Sequence, residues 1–154
     1  MKRSLVLSTI LVTAIFAVFA FTEKGNKIKR KVIFTEDAPK PIGPYSQAIL
    51  ANGTLYVAGQ VGLNPSTGRL DSTGIAGETR QALKNIYAIL LAADMNMAHI
   101  AKTTIYLKNI RDFEIVNKEY ATYFTNIAPP ARETVGVADL PKGANIEISV
   151  VAVK

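Results

Sequence analysis

The chain contains no cysteine and a single histidine, His99, among its 154 residues. Disulfides, thiolate nucleophiles and zinc clusters are therefore excluded, and one histidine leaves little for a catalytic triad. Any catalysis must run on carboxylates, Arg, Lys, hydroxyls, backbone groups and water. The missing cysteine also fits an oxidising compartment. Phosphate-binding charge is scarce over most of the chain as well. The formal net charge is +6. Residues 1–31, however, hold seven bases (Lys2, Arg3, Lys24, Lys27, Lys29, Arg30, Lys31) against Glu23, while residues 32–154 hold 11 bases and 11 acids. The basic surplus belongs to the leading segment, so the remainder has no bulk electrostatic case for nucleic acid.

What is present begins with a leader. Met1-Lys2-Arg3 is followed by an uncharged apolar run from Ser4 to Thr22, with Val18-Phe19-Ala20 as a cleavage signal. This is the pattern of a secretory signal peptide cut after Ala20. A membrane anchor formed by residues 4–22 is the competing reading, because the run approaches the ~20 residues that span a bilayer. Charge on both flanks leaves orientation open. Without cysteine there is no lipoprotein anchor. The chain divides into residues 1–22 (signal peptide or anchor), 23–31 (a basic linker) and 32–154 (one folded domain), and export to the periplasm or medium is expected.

Apolar residues make up 49% of the chain, enough for a core. Residues 31–34 are β-prone, and the three prolines of Ala38 to Pro44 force an irregular loop. Ser46 to Ala51, Asn52-Gly53 and Thr54 to Ala58 read as a hairpin, since Asn-Gly accepts positive φ at both central positions. Gly59 to Gly74 reads as a polar loop. A helix is predicted over Ala76 to Asp94, with Leu83, Ile86, Tyr87, Leu90 and Ala93 as its apolar stripe. His99 opens a strand to Leu107, with Ile100, Lys102, Thr104 and Tyr106 on one face, and is itself expected to be a solvated loop residue. Asn109 is the N-cap of a second helix ending near Phe124, its stripe being Phe113, Val116, Tyr120 and Tyr123. Strands over Glu133 to Val137 and Asn145 to Val153 follow. The order βββαβαββ implies an α+β two-layer sandwich, a mixed sheet with two helices on one face. The last strand is apolar on both faces (Ile146, Ile148, Val150, Val151, Val153), which favours oligomer burial through the open face.

Several motifs then line up in order. They are Ile42-Gly43-Pro44-Tyr45-Ser46-Gln47-Ala48, Tyr56-Val57-Ala58-Gly59-Gln60, Asp112-Phe113 with Asn117, Tyr120 and Phe124, Pro130-Ala131-Arg132 with Val135, Leu140-Pro141, and Ile146-Glu147-Ile148. Together they resemble the RidA (YjgF-like) family across residues 32–154. The resemblance implies a chorismate-mutase-like fold and a homotrimer with a site at each subunit interface. It also implies hydrolysis of reactive enamine/imine intermediates of amino acids to 2-keto acids and ammonia, with no metal or cofactor. By resemblance Arg132 and Glu147 are the catalytic pair, and Tyr45, Ala58, Gly59, Asn117, Arg132 and Thr134 line the substrate site. The chemistry agrees. A planar guanidinium matches the carboxylate of a 2-imino acid, and Glu147 is placed to orient or deprotonate water.

Other readings of the same residues stand beside these. Arg132 alone reads as a surface ion-pair arginine, and Glu147 as its structural partner across a trimer. Tyr45 reads as packing, Asn117 as a brace for a loop, and Gly43 and Gly59 as backbone necessities. Two departures from the family pattern are Ala58, where members commonly carry Ser, and Thr134, where Cys often stands. The rival functions are a non-catalytic small-carboxylate binder or chaperone-like trimer, and an endoribonuclease; the charge balance of residues 32–154 counts against the last. Expected partners are a small 2-imino or 2-keto acid and further copies of the chain, with no nucleic acid, and a membrane only if the leader is retained.

Overall fold

The computed structural model describes residues 29–154. The leader, its cleavage point and most of the linker lie outside the described residues. In chain order the elements are β1 (Arg30–Ile33), β2 (Ala48–Ala51), β3 (Thr54–Val61), α1 (Ile75–Ala92), β4 (Ile100–Leu107), α2 (Phe113–Ala121), β5 (Ala131–Gly136) and β6 (Ile146–Val153). This is the βββαβαββ succession expected from the sequence. The strands form one mixed sheet in the order β1-β2-β3-β6-β4-β5, with β4 and β5 parallel and every other pair antiparallel. The C-terminal strand inserts at the centre, between β3 and β4, which is why it is apolar on both faces.

Period-two alternation sorts the sheet. Ile146, Ile148, Val150 and Ala152 are buried with Leu55, Val57, Ile105 and Leu107 against Leu83, Ile86, Ile89 and Leu90 of α1 and Val116 and Tyr120 of α2. The two helices pack together on this one face, giving the two-layer sandwich. On the other face the register aligns Val32, Ile49, Tyr56 and Val151 in one row. Val32 and Tyr56 are exposed there, as are Val135 and Val153 further along.

The structure corrects several local expectations. Strand β3 continues through Gly59-Gln60-Val61, where the sequence suggested a loop. Ala58 and Gly59 lie between the pairs Val57–Val150 and Gln60–Ile148, opposite Ser149 alone, so β3 carries a bulge. The Gln60 side-chain amide donates to the carbonyls of Ala58 (3.1 Å) and Gly59 (3.2 Å), replacing partners that the ladder loses. A second irregularity between Ile100 and Lys102 turns Ile100 to the buried face, away from Lys102, Thr104 and Tyr106. On α1, Tyr87 points outward and Ile89 takes an inward place. Beyond α2, Phe124 is buried with its ring 4.7 Å from Tyr120, while Phe113 stays at the rim. His99 is partly exposed and ends the short turn Met97–His99, where its Nδ1 accepts the Asn96 N–H at 3.1 Å. Arg30 and Lys31, read as linker, are the first residues of β1.

The proline-rich loop has no ladder of its own and is held by one side chain. Gln47 is buried; its Oε1 accepts the Thr35 N–H at 2.8 Å, and its Nε2 donates to the carbonyls of Thr35, Ala38 and Pro39. Ordering of the loop therefore rests on a buried, fully satisfied amide.

Candidate active site

Glu147 lies on β6 beside the β3 bulge. The register row Val61, Glu147, Tyr106, Val135 runs across the sheet on the face opposite the helices. Beneath the carboxylate is Gly59, where any Cβ would collide with the Glu147 side chain. Burial pushes the Glu147 carboxyl above its ordinary range. Tyr45 arrives on the proline loop: its N–H donates to the Gly43 carbonyl at 2.8 Å, and its hydroxyl accepts the Ile42 N–H at 3.3 Å. Together with Ala58, Lys40, Lys142 and apolar walls, these residues line a cavity of about 340 Å³. Strand β6 is fixed in position by a buried carboxylate at the start of α1. Glu78 accepts the Asn145 N–H at 2.8 Å through Oε2 and the Asn145 side-chain amide through Oε1. Asn145 is two residues before Glu147, so this clamp sets where β6 begins.

Arg132 belongs to the other face. The row Ile33, Ala48, Val57, Val150, Thr103, Arg132 runs across the helix side. The guanidinium carbon is 4.8 Å from the Tyr120 ring centroid and 5.7 Å from that of Phe113, and one terminal nitrogen donates to Asn117 Oδ1 at 2.8 Å. The Tyr120 hydroxyl in turn donates to Thr103 Oγ1 at 2.9 Å; burial raises its phenol above the ordinary range, so it stays neutral and donates. None of the four ion pairs among the described residues includes Arg132. Within the chain, then, Arg132 is held by ring stacking and an amide rather than by a carboxylate. Stacking and one amide fix the plane of the cation, and four of its five N–H donors remain beyond the Asn117 bond. They border a groove of about 390 Å³ lined by Asn117, Tyr120, Phe124 and the Pro129-Pro130 pair.

The residues singled out from the sequence thus fall into two groups. Tyr45, Ala58, Gly59 and Glu147 share the first cavity, and Asn117 and Arg132 share the second. Thr134 faces the same way as Arg132, about 6.6 Å along the strand, and does not line the groove. Because Arg132 and Glu147 project from opposite faces of the sheet, one chain cannot bring them to one small molecule. The sequence reading missed Lys40 and Lys142 at the first cavity and the rings of Phe113 and Tyr120 under Arg132. The motif Leu140-Pro141 directly preceding Lys142 was the available signal for that lysine. Among the described residues no group of three or more His, Asp or Glu is placed to hold a metal ion, and no helix is long and apolar enough to cross a membrane.

Fold and site together define a small α+β domain with one pocket beside Glu147 and a second beside Arg132, on opposite faces of its sheet. The chain belongs to the Endoribonuclease L-PSP family, whose model matches residues 35–154, and this is the RidA (YjgF-like) family that the motifs resembled. It is similar to a human protein named 2-iminobutanoate/2-iminopropanoate deaminase, 50% identical over 129 residues that cover 84% of this chain and 93% of the human one. A RutC family protein of Pyrococcus horikoshii is also 50% identical, over 125 residues covering 81% of this chain and 98% of its own. Among solved structures, a Rid family protein YyfA from Yersinia pestis superposes with a TM-score of 0.79 at 51% identity, covering 81% of this chain and 99% of that one. Escherichia coli TdcF with bound serine gives a TM-score of 0.78 at 33% identity, covering 80% and 98%.

Proposed function

We propose that this protein hydrolyses reactive enamine/imine intermediates of amino acids to 2-keto acids and ammonia, in a homotrimer whose sites are built from two copies. The observation that carries the reading is the separation of Arg132 and Glu147 onto opposite sheet faces, each in its own half-pocket, on a chain 50% identical to an imine deaminase. Closing one copy's Glu147 cavity with another copy's Arg132 edge supplies both groups to one substrate. It would also cover the apolar row through Tyr56 and Val151. Serine bound by the Escherichia coli relative is a small 2-amino carboxylate, in keeping with a pocket for such molecules.

The steps follow from the groups. Arg132 binds the substrate carboxylate with paired N–H donors, its plane preset by Tyr120, Phe113 and Asn117. That fixes the C=N carbon against a water held by Glu147. The water oxygen bonds to the carbon as the C=N electron pair moves to nitrogen, and Glu147 takes the water proton and passes it to nitrogen. The carbinolamine hydroxyl then gives its proton, through Glu147, to the nitrogen; the C–N bond breaks, ammonia leaves and the oxygen becomes the keto group. Asn117 acts here by positioning Arg132, Tyr45 closes the pocket, and Gly59 gives the carboxylate room. Thr134 stands nearest Arg132 on the same strand face.

The test is to generate imines in situ from several amino acids with an oxidase and let semicarbazide compete for them. The purified protein is expected to suppress semicarbazone formation. Its kcat/KM should fall as pH drops through the Glu147 pKa, on an acid limb displaced above the ordinary carboxyl value of 4.5. The sign follows from the base form being the active one: a raised pKa moves the loss to higher pH. No suppression by a folded trimer would sink the reading and leave the small-carboxylate binder.

The leader supports export. A mature amino terminus at Phe21, found in the periplasmic or secreted fraction, is the expected result of N-terminal sequencing. An intact Met1 chain in the cytosol would overturn it.

A further inference from the structure

Three described non-glycine residues have positive φ: Asn52 (50°), Asp94 (56°) and Lys142 (63°). Asn and Asp accept this region with little cost, whereas a long side chain carries the full steric penalty. Lys142 holds it within the turn Pro141–Gly143, closed by the Gly143 N–H on the Leu140 carbonyl and the Ala144 N–H on the Pro141 carbonyl. Strain retained at a single residue calls for a use of that residue. From this turn Lys142 lines the Glu147 cavity, and Lys40 lines it from the proline loop.

The two lysines differ in what holds them. Lys40 pairs with Glu36 at 2.9 Å, both side chains being about 70% exposed, a contact easily exchanged for another anion. Lys142 takes part in none of the four ion pairs and none of the side-chain hydrogen bonds among the described residues. Nor are the lysines counter-ions of Glu147, whose carboxyl is raised by burial with no cation offsetting it. The cavity is therefore bordered by two lysines, with Ile42, Leu63 and Pro141 as apolar wall.

We propose that this cavity takes 2-imino acids whose side chain ends in a second carboxylate, with Lys142 binding that distal carboxylate and Lys40 supporting it. The inference rests on the imine-hydrolase reading, in which Arg132 is already committed to the carboxylate next to the imine. The methylenes of a dicarboxylic substrate fit the apolar wall, and the distal charge reaches the lysine end. Charge complementarity of this kind selects among substrates more than it adds to overall affinity.

The experiment compares the full-length protein with Lys142→Gly and Lys142→Gln. Glycine relieves the backbone strain while removing the ammonium, so its loss of function is not misfolding. Imines derived from glutamate and from alanine are the substrates, and 2-oxoglutarate against 2-oxobutanoate are calorimetric ligands. Both variants are expected to raise KM for the glutamate-derived imine by about tenfold, the worth of one partly exposed charge-assisted contact. The alanine-derived imine should lose much less, so the ratio of the two kcat/KM values shifts by about that factor, and the preference for 2-oxoglutarate over 2-oxobutanoate should be lost in step. Equal losses on both substrates would overturn the proposal, as would a wild type that binds the two keto acids alike. If no imine is hydrolysed, the parent reading fails, and the keto-acid comparison still decides whether Lys142 reads a distal carboxylate.

Discussion

Replacing Arg132 with alanine is expected to abolish measurable imine hydrolysis, a fall in kcat/KM of at least about 100-fold, because on the proposed mechanism the substrate carboxylate loses its anchor and the imine carbon its alignment. The fold should survive. Arg132 sits on the edge strand, and its stacking on Tyr120 and Phe113 contributes on the order of 0.5–1 kcal/mol per contact at such a site. The midpoint of thermal unfolding should therefore move by only a few degrees. Arg132→Lys should not rescue activity, since a point charge neither stacks in the same plane nor meets both oxygens of a carboxylate. The sharper measurement mixes two dead variants. Arg132→Ala and Glu147→Ala, unfolded together and reassembled at equal concentration, should recover about one quarter of wild-type activity if each trimer interface takes its arginine from one copy and its carboxylate from the next. No recovery from a mixture shown to form heterotrimers would mean that Arg132 and Glu147 do not serve one site.

The division between faces was not legible in the sequence, and the reason is local. Face assignment follows from counting by twos along a strand, and a bulge breaks the count. In β4 the irregularity after Ile100 inverts the side predicted for that residue, while Thr103, Ile105 and Leu107 alternate as expected. In β3 the bulge at Ala58-Gly59 made Gly59-Gln60-Val61 look like loop, because Gly and Gln lack the β-prone character of the preceding Leu55, Tyr56 and Val57. The sequence starts the fifth strand at Glu133, because Pro129-Pro130 precede it; the structure starts β5 at Ala131 and so includes Arg132. What was legible is what depends on short-range chemistry. The Asn52-Gly53 hairpin, the Asn109 cap and the long stripe of α1 each rest on residues within a few positions of one another. The contacts of Gln47 with the proline loop, Glu78 with Asn145 and Tyr120 with Arg132 join distant segments, and only the fold brings them together.

Gly59→Ala tests whether the bulge exists to seat the Glu147 carboxylate. The backbone itself makes no demand for glycine here, because Gly59 is not among the residues with positive φ. What alanine meets is one side chain: the three atoms nearest an added Cβ all belong to Glu147. The carboxylate is the far end of a flexible chain, so it is expected to swing out of the cavity rather than unfold the sheet. Stability should drop by only about 1–2 kcal/mol, the low end for overpacking. On the proposed mechanism activity should drop by about 100-fold, since the carboxylate oxygen assigned to hold the water is displaced. Two further readouts separate this from general damage. Any residual activity should show its acid limb moved down toward the ordinary 4.5, because the displaced carboxyl is no longer held in the burial that raises it. In a Glu147→Ala background the same glycine-to-alanine change should cost nothing, or stabilise by about 0.4–1 kcal/mol through the unfolded chain. A double-mutant cycle on urea unfolding measures that reversal directly. If Gly59→Ala destabilises equally in both backgrounds, the glycine serves the sheet and not the carboxylate.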